Sequence, residues 1–208
     1  MIYIIITTSI NNKDGLKNQK HRKNRYIECI KHLLELITNI DNVYPIIVEN
    51  NGKRKTFLDN LNCDVLYTDN NKYNFKHKGG NELLDIKTVI KTYNINNNDT
   101  IIKLTGRYKI LNLDFINLVI NNCDKIKAFV KFFNVCTKQY HYKKDDCVLG
   151  LIALKCKYFK RFNYKYEKSP EVEIATYIRN NIDNSKIQSV TNLSLECCFA
   201  IDLSLVTV

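Results

Sequence analysis

The first hundred residues of the chain alternate short, almost entirely apolar runs with stretches in which apolar residues recur every three or four positions. A short apolar run predicts a buried β-strand, whereas the longer spacing predicts a helix that packs along one face. Repeated strand–helix alternation is typical of a parallel sheet, because each crossover returns a helix to a face of that sheet. The pattern therefore predicts an α/β fold with a mostly parallel sheet and helices on both faces.

The predicted elements of this first part follow one another in strict order. The strands cover 1–8, 44–52 with its turn, 64–68 and 100–105, and the helices cover 26–40, 55–61 and 82–93. Asn81 directly precedes the last of these helices. It is predicted to be the N-cap, since an asparagine side chain there accepts a hydrogen bond from an unpaired helical N–H.

The second part is less regular and mixes short elements. Helices are predicted over 114–121 and 157–162, and strands over 126–133, 146–154 and 193–208. A further helix is predicted to begin after Ser169, because serine is a good N-cap, Pro170 suits the first helical position and acidic residues follow. No internal repeat or low-complexity linker divides the chain, so one domain over 1–208 is expected.

The balance of charge points to anionic partners. The 208 residues include 32 lysines and arginines against 21 aspartates and glutamates, which gives a formal net charge of +11. Such an excess favours nucleic acid, anionic lipid or a small phosphate-bearing ligand. The alternative is a lysine-rich surface that is merely solvated. The apolar share of 45% excludes a disordered tail protein.

The cysteines and the hydropathy pattern bear on the cellular compartment. None of the eight cysteines forms a C-x-x-C pair, and the four histidines do not lie near them at the spacing of a zinc site. We therefore expect buried free thiols in a reducing compartment. No apolar run approaches the roughly 18 residues that span a membrane, and the one at the start is too short for a signal peptide. The expected location is cytoplasmic.

Polar side chains follow each of the four strands predicted in the first part. The carboxyl ends of parallel strands meet at one edge of a sheet, where ligands bind in open α/β folds. Hydroxyls and carboxylates there can bond a ribose or a base, and an arginine can bind phosphate. The alternative is that strand-to-loop junctions are simply polar. The residues concerned are Thr7, Thr8, Glu49, Asn50, Thr68, Asp69, Thr105, Gly106 and Arg107.

A second cluster precedes the helix predicted over 82–93. In the run Lys78, Gly79, Gly80 and Asn81, two glycines allow a close backbone approach, and the free N–H groups of a helix start favour an anion. The same residues also suit an ordinary turn and N-cap. The segment matches neither a G-x-G-x-x-G fingerprint nor a phosphate-binding P-loop.

The fourth predicted strand carries more polarity than a buried strand usually does. Lys103 and Thr105 alternate with Leu104, so they project from the opposite face of the strand. Gly106 permits a tight exit, which presents Arg107 at the rim of the sheet. We expect these residues to contact a bound ligand. The alternative for Lys103 is a structural ion pair.

These residues resemble the small GT-A-type glycosyltransferase-like proteins of bacteria and large DNA viruses. The resemblance rests on Ile-Ile-Lys-Leu-Thr-Gly-Arg-Tyr at 101–108, Gly-Asn-Glu-Leu-Leu-Asp at 80–85 and the basic helix start at 22–26, and it extends to Pro-Glu-Val-Glu at 170–173. It implies a fold for nucleotide-diphospho-sugars, with a nucleotide-binding half over 1–110 and an acceptor-side half over 111–208. It also implies a cytoplasmic enzyme, in the host cytoplasm if the source is viral.

Typical GT-A enzymes carry a D-x-D triad after the fourth strand, and its carboxylates hold a divalent metal against the diphosphate. This chain has Gly106-Arg107-Tyr108 at that position and no D-x-D anywhere. The resemblance therefore implies that Arg22, Arg25 and the strand-end residues bind the donor and that no metal or other cofactor is required. Arg107 would neutralise the departing diphosphate, because it supplies positive charge where negative charge develops.

An inverting sugar transfer needs a general base for the acceptor hydroxyl, which GT-A proteins supply late in the chain. By position the base is predicted to be Glu173, or else Glu171, where helical N–H groups keep a carboxylate ionised. The alternative is that both residues only complement the helix dipole. Asp145 and Asp146 are a second choice for the base.

The predicted function is transfer of a sugar from a nucleotide-diphospho-sugar to a glycan or glycoprotein acceptor. One alternative is a GT-A-like protein that binds the nucleotide-sugar without catalysis. The other is a nucleic-acid binder that uses the positive charge and the aromatic residues beside lysines, such as Lys72-Tyr73. Those pairs are scattered and no nucleic-acid-binding motif is present, so nucleic acid is not the expected partner.

Overall fold

The computed structural model describes residues 1–11, 19–75, 77, 79–137, 139–200 and 202–208. The strands in this part of the chain are β1 (Ile2–Thr8), β2 (Val43–Glu49), β3 (Asp64–Tyr67), β4 (Thr100–Thr105), β5 (Lys109–Ile110), β6 (Ala128–Val130), β7 (Leu151–Lys155), β8 (Ile187–Ser189), β9 (Leu195–Cys198) and β10 (Leu205–Thr207). The α-helices are α1 (Gln19–Ile37), α2 (Gly79–Thr92), α3 (Asp114–Asn122), α4 (Cys156–Arg161) and α5 (Pro170–Asn181).

Seven of the strands form one sheet in the order β3-β2-β1-β4-β7-β6-β8, and the other three form a sheet in the order β10-β9-β5. β1 pairs in parallel with both β2 and β4, and β2 pairs in parallel with β3. β7 runs antiparallel to both of its neighbours, whereas β6 and β8 are parallel to each other. The predicted α/β fold with a mostly parallel sheet is confirmed, with β7 as a reversed strand.

Alternate residues of the central strand β1 belong to two separate cores. Ile4 and Ile6 are fully buried on the face that α1 and α3 cover, whereas Ile5 is fully buried on the face that α2, α4 and α5 cover. This alternation follows from the period of two in a strand. Because both faces are covered, β1 is a continuous apolar run. Helices on both faces of the sheet are therefore confirmed.

The carboxyl ends of the parallel strands meet at one edge, as the sequence predicts. The register sets Thr7 beside Thr105 and Thr8 beside Glu49 on neighbouring strands. The N–H of Gly106 donates to the carbonyl of Thr7 at 2.9 Å, which fastens the exit of β4 to the end of β1. The strand-end residues predicted for the site therefore share this edge.

Helix α1 begins at Gln19, earlier than the predicted start at Tyr26. Its first turns carry Arg22 and Arg25, which are only 4% and 8% exposed although both are charged. The inner face of these first turns therefore carries buried arginines in place of the apolar residues by which a helix is usually recognised. The apolar spacing therefore begins one to two turns after the helix itself begins.

Helix α2 also begins earlier than predicted, at Gly79, so Asn81 lies inside its first turn. The N-cap role predicted for Asn81 is wrong. Its side-chain amide instead donates to the carbonyls of Asn70 and Tyr73, at 2.6 and 3.2 Å. The residue thus ties the loop after β3 to the start of α2.

The second part of the chain follows the predicted order with shorter elements. The helix start at Ser169 is confirmed, because the Ser169 hydroxyl accepts a hydrogen bond from the N–H of Val172 and Pro170 is the first residue of α5. Strand β6 covers 128–130 rather than 126–133, and β7 covers 151–155 rather than 146–154. β5 and β8 have two and three residues, too few for a hydropathy pattern to reveal.

The structure also bears on the cysteines and on membrane insertion. Cys29 and Cys197 are buried free thiols, and burial raises the pKa of each to about 12. They stay protonated at neutral pH, and a protonated thiol is a poor nucleophile. No helix in the described ranges has both the length and the apolar character that a membrane span needs.

Candidate functional site

A cavity of about 410 Å³ opens at the carboxyl edge of the parallel strands. Its walls come from the ends of β1 and β4, the N-terminal parts of α1, α2 and α5, and the turn before β7. This is the edge at which open α/β sheets bind ligands. Ten of the residues predicted for the site line the cavity, namely Thr7, Thr8, Arg22, Asn50, Gly79, Asn81, Lys103, Thr105, Arg107 and Glu171.

Lys103 is the most deeply buried charge of the cavity wall, with 1% of its surface exposed. Its ammonium group contacts the carboxylate of Glu82 at 2.7 Å and donates to the hydroxyl of Thr105 at 2.8 Å and to the carbonyl of Leu149 at 2.9 Å. A buried ammonium group is tolerated only when it is paired and hydrogen-bonded in this way. The structural ion pair considered as the alternative for Lys103 is therefore present, and it borders the cavity.

Arg22 reaches the cavity from α1. Its Nε and Nη2 atoms both donate to the carbonyl of Ser9 at 3.2 Å, and Nη2 also donates to the hydroxyl of Tyr26 at 3.2 Å. Among the described residues, the buried Nη1 atom has no hydrogen-bond partner. A buried donor without an acceptor is costly, and a guanidinium binds anionic oxygens strongly. The Nη1 atom is therefore suited to an oxygen of an anionic ligand.

Arg107 follows β4, is partly exposed and lines the cavity. Its Nε donates to the carbonyl of Cys198 in β9 at 2.8 Å, and its guanidinium carbon lies 5.3 Å from the ring centroid of Tyr108. The bond to β9 restrains the direction in which the side chain projects. Two arginines, one from α1 and one from the exit of β4, thus converge on one cavity.

The first residues of α2 and α5 meet at the cavity wall. A Cβ atom built on Gly79 would lie 2.3 Å from Cγ of Pro170, so only glycine allows the two helices to begin this close together. Each helix start carries a partial positive charge that favours an anion. Their first turns also hold acidic side chains, Glu82 in α2 and Glu171 in α5.

Two predicted donor-binding residues, Arg25 and Glu49, do not line the cavity and have structural partners. Arg25 forms an ion pair with Glu196 of β9 at 2.6 Å and donates to the carbonyl of Arg107 at 3.1 Å. Glu49 is fully buried, accepts from the hydroxyl of Thr8 at 2.8 Å and pairs with Arg54 at 3.2 Å. Both side chains hold residues that line the cavity, because Arg25 binds the backbone of Arg107 and Glu49 binds the hydroxyl of Thr8.

The remaining predicted residues are also accounted for. Asp69 is exposed and pairs with Lys72 at 2.5 Å, away from the cavity. Gly106 does not line the cavity, and a Cβ atom built on it would lie 3.0 Å from the Thr8 side chain. Gly80 lies beneath the rings of Phe75 and Tyr166. Lys78 lies outside the described residues.

The two glutamates considered for the general base have different surroundings. Both carboxylate oxygens of Glu173 accept backbone N–H groups, from Lys165 at 2.6 Å, Glu167 at 2.8 Å and Lys168 at 3.1 Å. Glu173 does not line the cavity, whereas Glu171 does. The preference for Glu173 is therefore corrected, because its carboxylate is committed to the loop before α5.

Asp145 and Asp146 do not line the cavity either. Asp146 is 5% exposed and accepts the N–H of Cys147 at 2.8 Å. Burial raises the pKa of Asp146, and the nearby charge of Glu171 adds to that rise. Asp146 therefore lies near Glu171 but does not border the cavity that a ligand would fill.

The sequence reasoning missed Asp85, a fully buried carboxylate of α2. It accepts from the Asn50 amide at 2.9 Å, the Thr68 hydroxyl at 2.8 Å and the Asn70 amide at 2.8 Å. Burial raises its pKa to about 7, although those three bonds act in the opposite direction. One signal was available, because Asp85 occupies an inner position of the helical pattern, four residues before the buried Val89.

The arrangement of possible donor groups bears on metal binding. Within the described ranges, no three histidine, cysteine, aspartate or glutamate side chains come together as a group that could hold a metal ion. At the cavity itself, the carboxylate of Glu82 is engaged by the ammonium group of Lys103. At the exit of β4, Arg107 places a cation where a D-x-D triad would place carboxylates, and a guanidinium group does not fit a divalent ion.

No family model and no curated protein matches the sequence. Solved structures do match, among them a glucosyl-3-phosphoglycerate synthase of M. tuberculosis, with a TM-score of 0.58, 10% identity, and 93% of this chain and 70% of that chain covered. A mannosyltransferase of Pyrobaculum calidifontis in complex with GDP-Man and Mn²⁺ also has a TM-score of 0.58, with 8% identity. The match covers 92% of this chain but 55% of the mannosyltransferase, so the chain spans about half of its length.

A cytidylyltransferase from Leptospira borgpetersenii matches with a TM-score of 0.51 and 14% identity, over 92% of this chain and 76% of that chain. Identities this low establish a shared fold and leave function to be argued from the site. The seven-stranded sheet with its one reversed strand, the helices on both faces and these neighbours agree on one architecture. The chain has a GT-A-like α/β fold, of the kind that nucleotide-sugar transferases and cytidylyltransferases share.

Proposed function

We propose that the protein is a glycosyltransferase that moves a sugar from a nucleotide-diphospho-sugar donor to a glycan or glycoprotein acceptor. One observation carries the proposal: the cavity at the carboxyl edge of the GT-A-like sheet is lined by three cations, Arg22, Lys103 and Arg107. Of these, Arg22 has a buried Nη1 atom without a partner among the described residues. An anionic diphosphate would supply the oxygen that this atom lacks.

The chemistry assigns separate tasks to the cations and to Glu171. In the transfer, the acceptor oxygen forms a bond to the anomeric carbon while the bond from that carbon to the diphosphate breaks. Arg22 and Arg107 stabilise the negative charge that develops on the diphosphate. Glu171 accepts the proton of the acceptor hydroxyl. Glu171 is preferred because it lines the cavity whereas Glu173 does not.

We further propose that the transfer needs no divalent metal. The chain has no D-x-D, and Arg107 stands after β4 where that triad would be. A guanidinium cation and a metal ion both place positive charge against the departing diphosphate, so one can act in place of the other.

A thermal-shift screen of nucleotide-sugars tests the proposed function. We expect at least one UDP-, GDP- or CDP-sugar to stabilise the protein, by about 2.7 kcal/mol at a concentration of 100 times Kd. The shift should be the same with EDTA as with Mn²⁺. A tenfold gain in affinity with Mn²⁺ would contradict metal independence. Stabilisation without any sugar transfer would favour the non-catalytic alternative, and no stabilisation at all would contradict donor binding.

Arg107 should carry a measurable share of donor affinity. We expect Arg107→Ala to weaken binding of the nucleotide-sugar by about 10- to 150-fold, the equivalent of 1.5–3 kcal/mol for a lost charge-assisted bond. Arg107→Lys should restore only part of this, because an ammonium group cannot form the forked contact. Arg161→Ala, at the exposed end of α4, is the matched control and should leave the affinity unchanged. Unchanged affinity in Arg107→Ala would remove the residue from the donor site.

A further inference from the structure

Five aromatic side chains form a continuous cluster next to the cavity. Neighbouring ring centroids are 5.9 Å apart for Tyr73 and Phe75, 5.1 Å for Phe75 and Tyr166, 4.2 Å for Tyr166 and Tyr164, and 6.4 Å for Tyr164 and His77. Phe75 and Tyr166 are stacked, with 14° between their planes. We call these five residues the aromatic cluster.

The aromatic cluster joins the two segments that lead into α2 and α5. Tyr73, Phe75 and His77 occur at every second residue before Gly79, and the other two rings come from the segment before Pro170. His77, Gly79 and Pro170 also line the cavity. The cluster is therefore a direct extension of the cavity wall on the side of α2 and α5.

Gly80 is required beneath the cluster. A Cβ atom built there would lie 2.7 Å from the hydroxyl of Tyr166 and 2.9 Å from Cγ of Phe75. The two stacked rings thus rest directly on the backbone of α2, which leaves them little freedom to move. A rigid aromatic surface loses little conformational entropy when a ligand packs against it.

The backbone of Tyr166 has a φ of 65°, in the left-handed region that a bulky residue rarely adopts. The Glu173 carboxylate fixes this conformation, because it accepts N–H groups on both sides of Tyr166, from Lys165, Glu167 and Lys168. Backbone conformations of this kind persist only where the surroundings enforce them, and they concentrate at functional sites. The Glu173 carboxylate therefore holds the backbone around Tyr166, whose ring stacks on Phe75.

We infer that the aromatic cluster is the acceptor subsite and binds a sugar ring stacked on Tyr73 and Phe75. This inference rests on the proposed function, since it names the substrate class on the acceptor side of that reaction. Tyr73 is 47% exposed and Phe75 is partly exposed, so both can receive a ligand. The C–H face of a pyranose is apolar and packs on an aromatic ring, while its hydroxyls remain available for hydrogen bonds.

The geometry favours a sugar acceptor at this wall over the base of the donor. The arginines proposed to hold the donor diphosphate come from α1 and from the exit of β4, whereas the aromatic cluster belongs to the side of α2 and α5, on the other face of the sheet. Glu171 follows Tyr166 by only five residues, in the first turn of α5. An acceptor bound to the cluster would therefore present its hydroxyls on the side of the cavity where the proposed base lies.

Saturation-transfer NMR with a panel of methyl glycosides of glucose, galactose, mannose and N-acetylglucosamine tests the subsite. We expect at least one glycoside to bind the native protein and Tyr73→Leu to weaken that binding at least tenfold, because leucine is apolar but has no ring. Tyr73→Phe should bind as the native protein does. Tyr44→Leu is the matched control, since Tyr44 is 42% exposed at the start of β2. Binding of none of the glycosides, or full binding by Tyr73→Leu, would overturn the inference.

A second variant tests the role of the Tyr166 ring. Glycine readily adopts the φ of 65° at position 166, so Tyr166→Gly should fold, yet it should lose glycoside binding because the ring that supports Phe75 is gone. Retained binding would overturn this part of the inference. Failure of the acceptor subsite is distinguishable from failure of the proposed function, because the two experiments use different probes. A methyl glycoside tests the subsite, and a nucleotide-sugar tests the proposed function. If UDP, rather than a glycoside, loses affinity in Tyr73→Leu, the cluster binds the base and the inference is overturned.

Discussion

Replacing Glu171 with glutamine should lower the rate of sugar transfer by about 10²- to 10⁴-fold, the range that a positioned general base contributes. Affinity for the nucleotide-sugar should not change, because a base is needed only when the acceptor proton moves. Turnover and donor affinity are to be measured in the same preparation. Full turnover by Glu171→Gln would remove the residue from the chemical step.

Glu173→Gln is the matched control for this experiment, two residues further along α5. Glutamine offers one acceptor oxygen in place of the two that bind the N–H groups of Lys165, Glu167 and Lys168. We expect a lower melting temperature, with turnover at saturating substrate reduced far less than in Glu171→Gln. A larger loss of turnover in Glu173→Gln than in Glu171→Gln would reverse our assignment of the base.

The second large effect concerns the pH dependence of stability. Burial raises the pKa of Asp85 to about 7, whereas an aspartate in the unfolded chain titrates near 3.9. Between those values the unfolded chain has released this proton and the folded chain has kept it, so rising pH favours unfolding. The stability that protonated Asp85 contributes is fully present below about pH 4 and is lost as the pH rises through 7. The loss is about 4 kcal/mol for a shift of about 3 pKa units.

Asp85→Asn removes this titration and provides the test. Asparagine is neutral, as the protonated aspartate is. The free energy of unfolding of the variant should therefore be closest to that of the native protein in acid, and it should exceed the native value by a growing amount up to pH 8. Urea unfolding at several pH values measures the difference between the two proteins. Asp124→Asn, at an exposed position, is the control for replacing an aspartate with asparagine. A constant difference for Asp85→Asn would show that the carboxyl does not titrate in this range.

The sequence predicted the parallel core of the sheet because its signals are local. Each of β1 to β4 is a short apolar run followed by polar residues, and parallel strands buried on both faces have that appearance. Thr7, Lys103 and Arg107 could be assigned to one edge on these grounds alone. The reversal of β7 could not be predicted, since an apolar run has the same appearance in either direction.

The errors at the site have a common physical cause. Whether a charged side chain contacts a ligand or another part of the protein depends on residues far away in sequence. Arg25 is bound by Glu196, 171 positions later, and nothing near Arg25 in the sequence indicates this. Glu173 has a different limitation, because its partners are backbone N–H groups, which every residue but proline has and which no residue type can reveal.

The bond between Arg107 and the carbonyl of Cys198 joins residues 91 positions apart. Ribosomes add about 5–20 residues per second, so Arg107 leaves the ribosome about 5–18 seconds before the strand that orients it. During that interval the nascent chain already contains β1 to β4 but not β9, whose Cys198 carbonyl binds Arg107. The bond that orients Arg107 can therefore form only late in synthesis, once residue 198 has been added, and a chain stalled before that point would contain β1 to β4 without this restraint on Arg107.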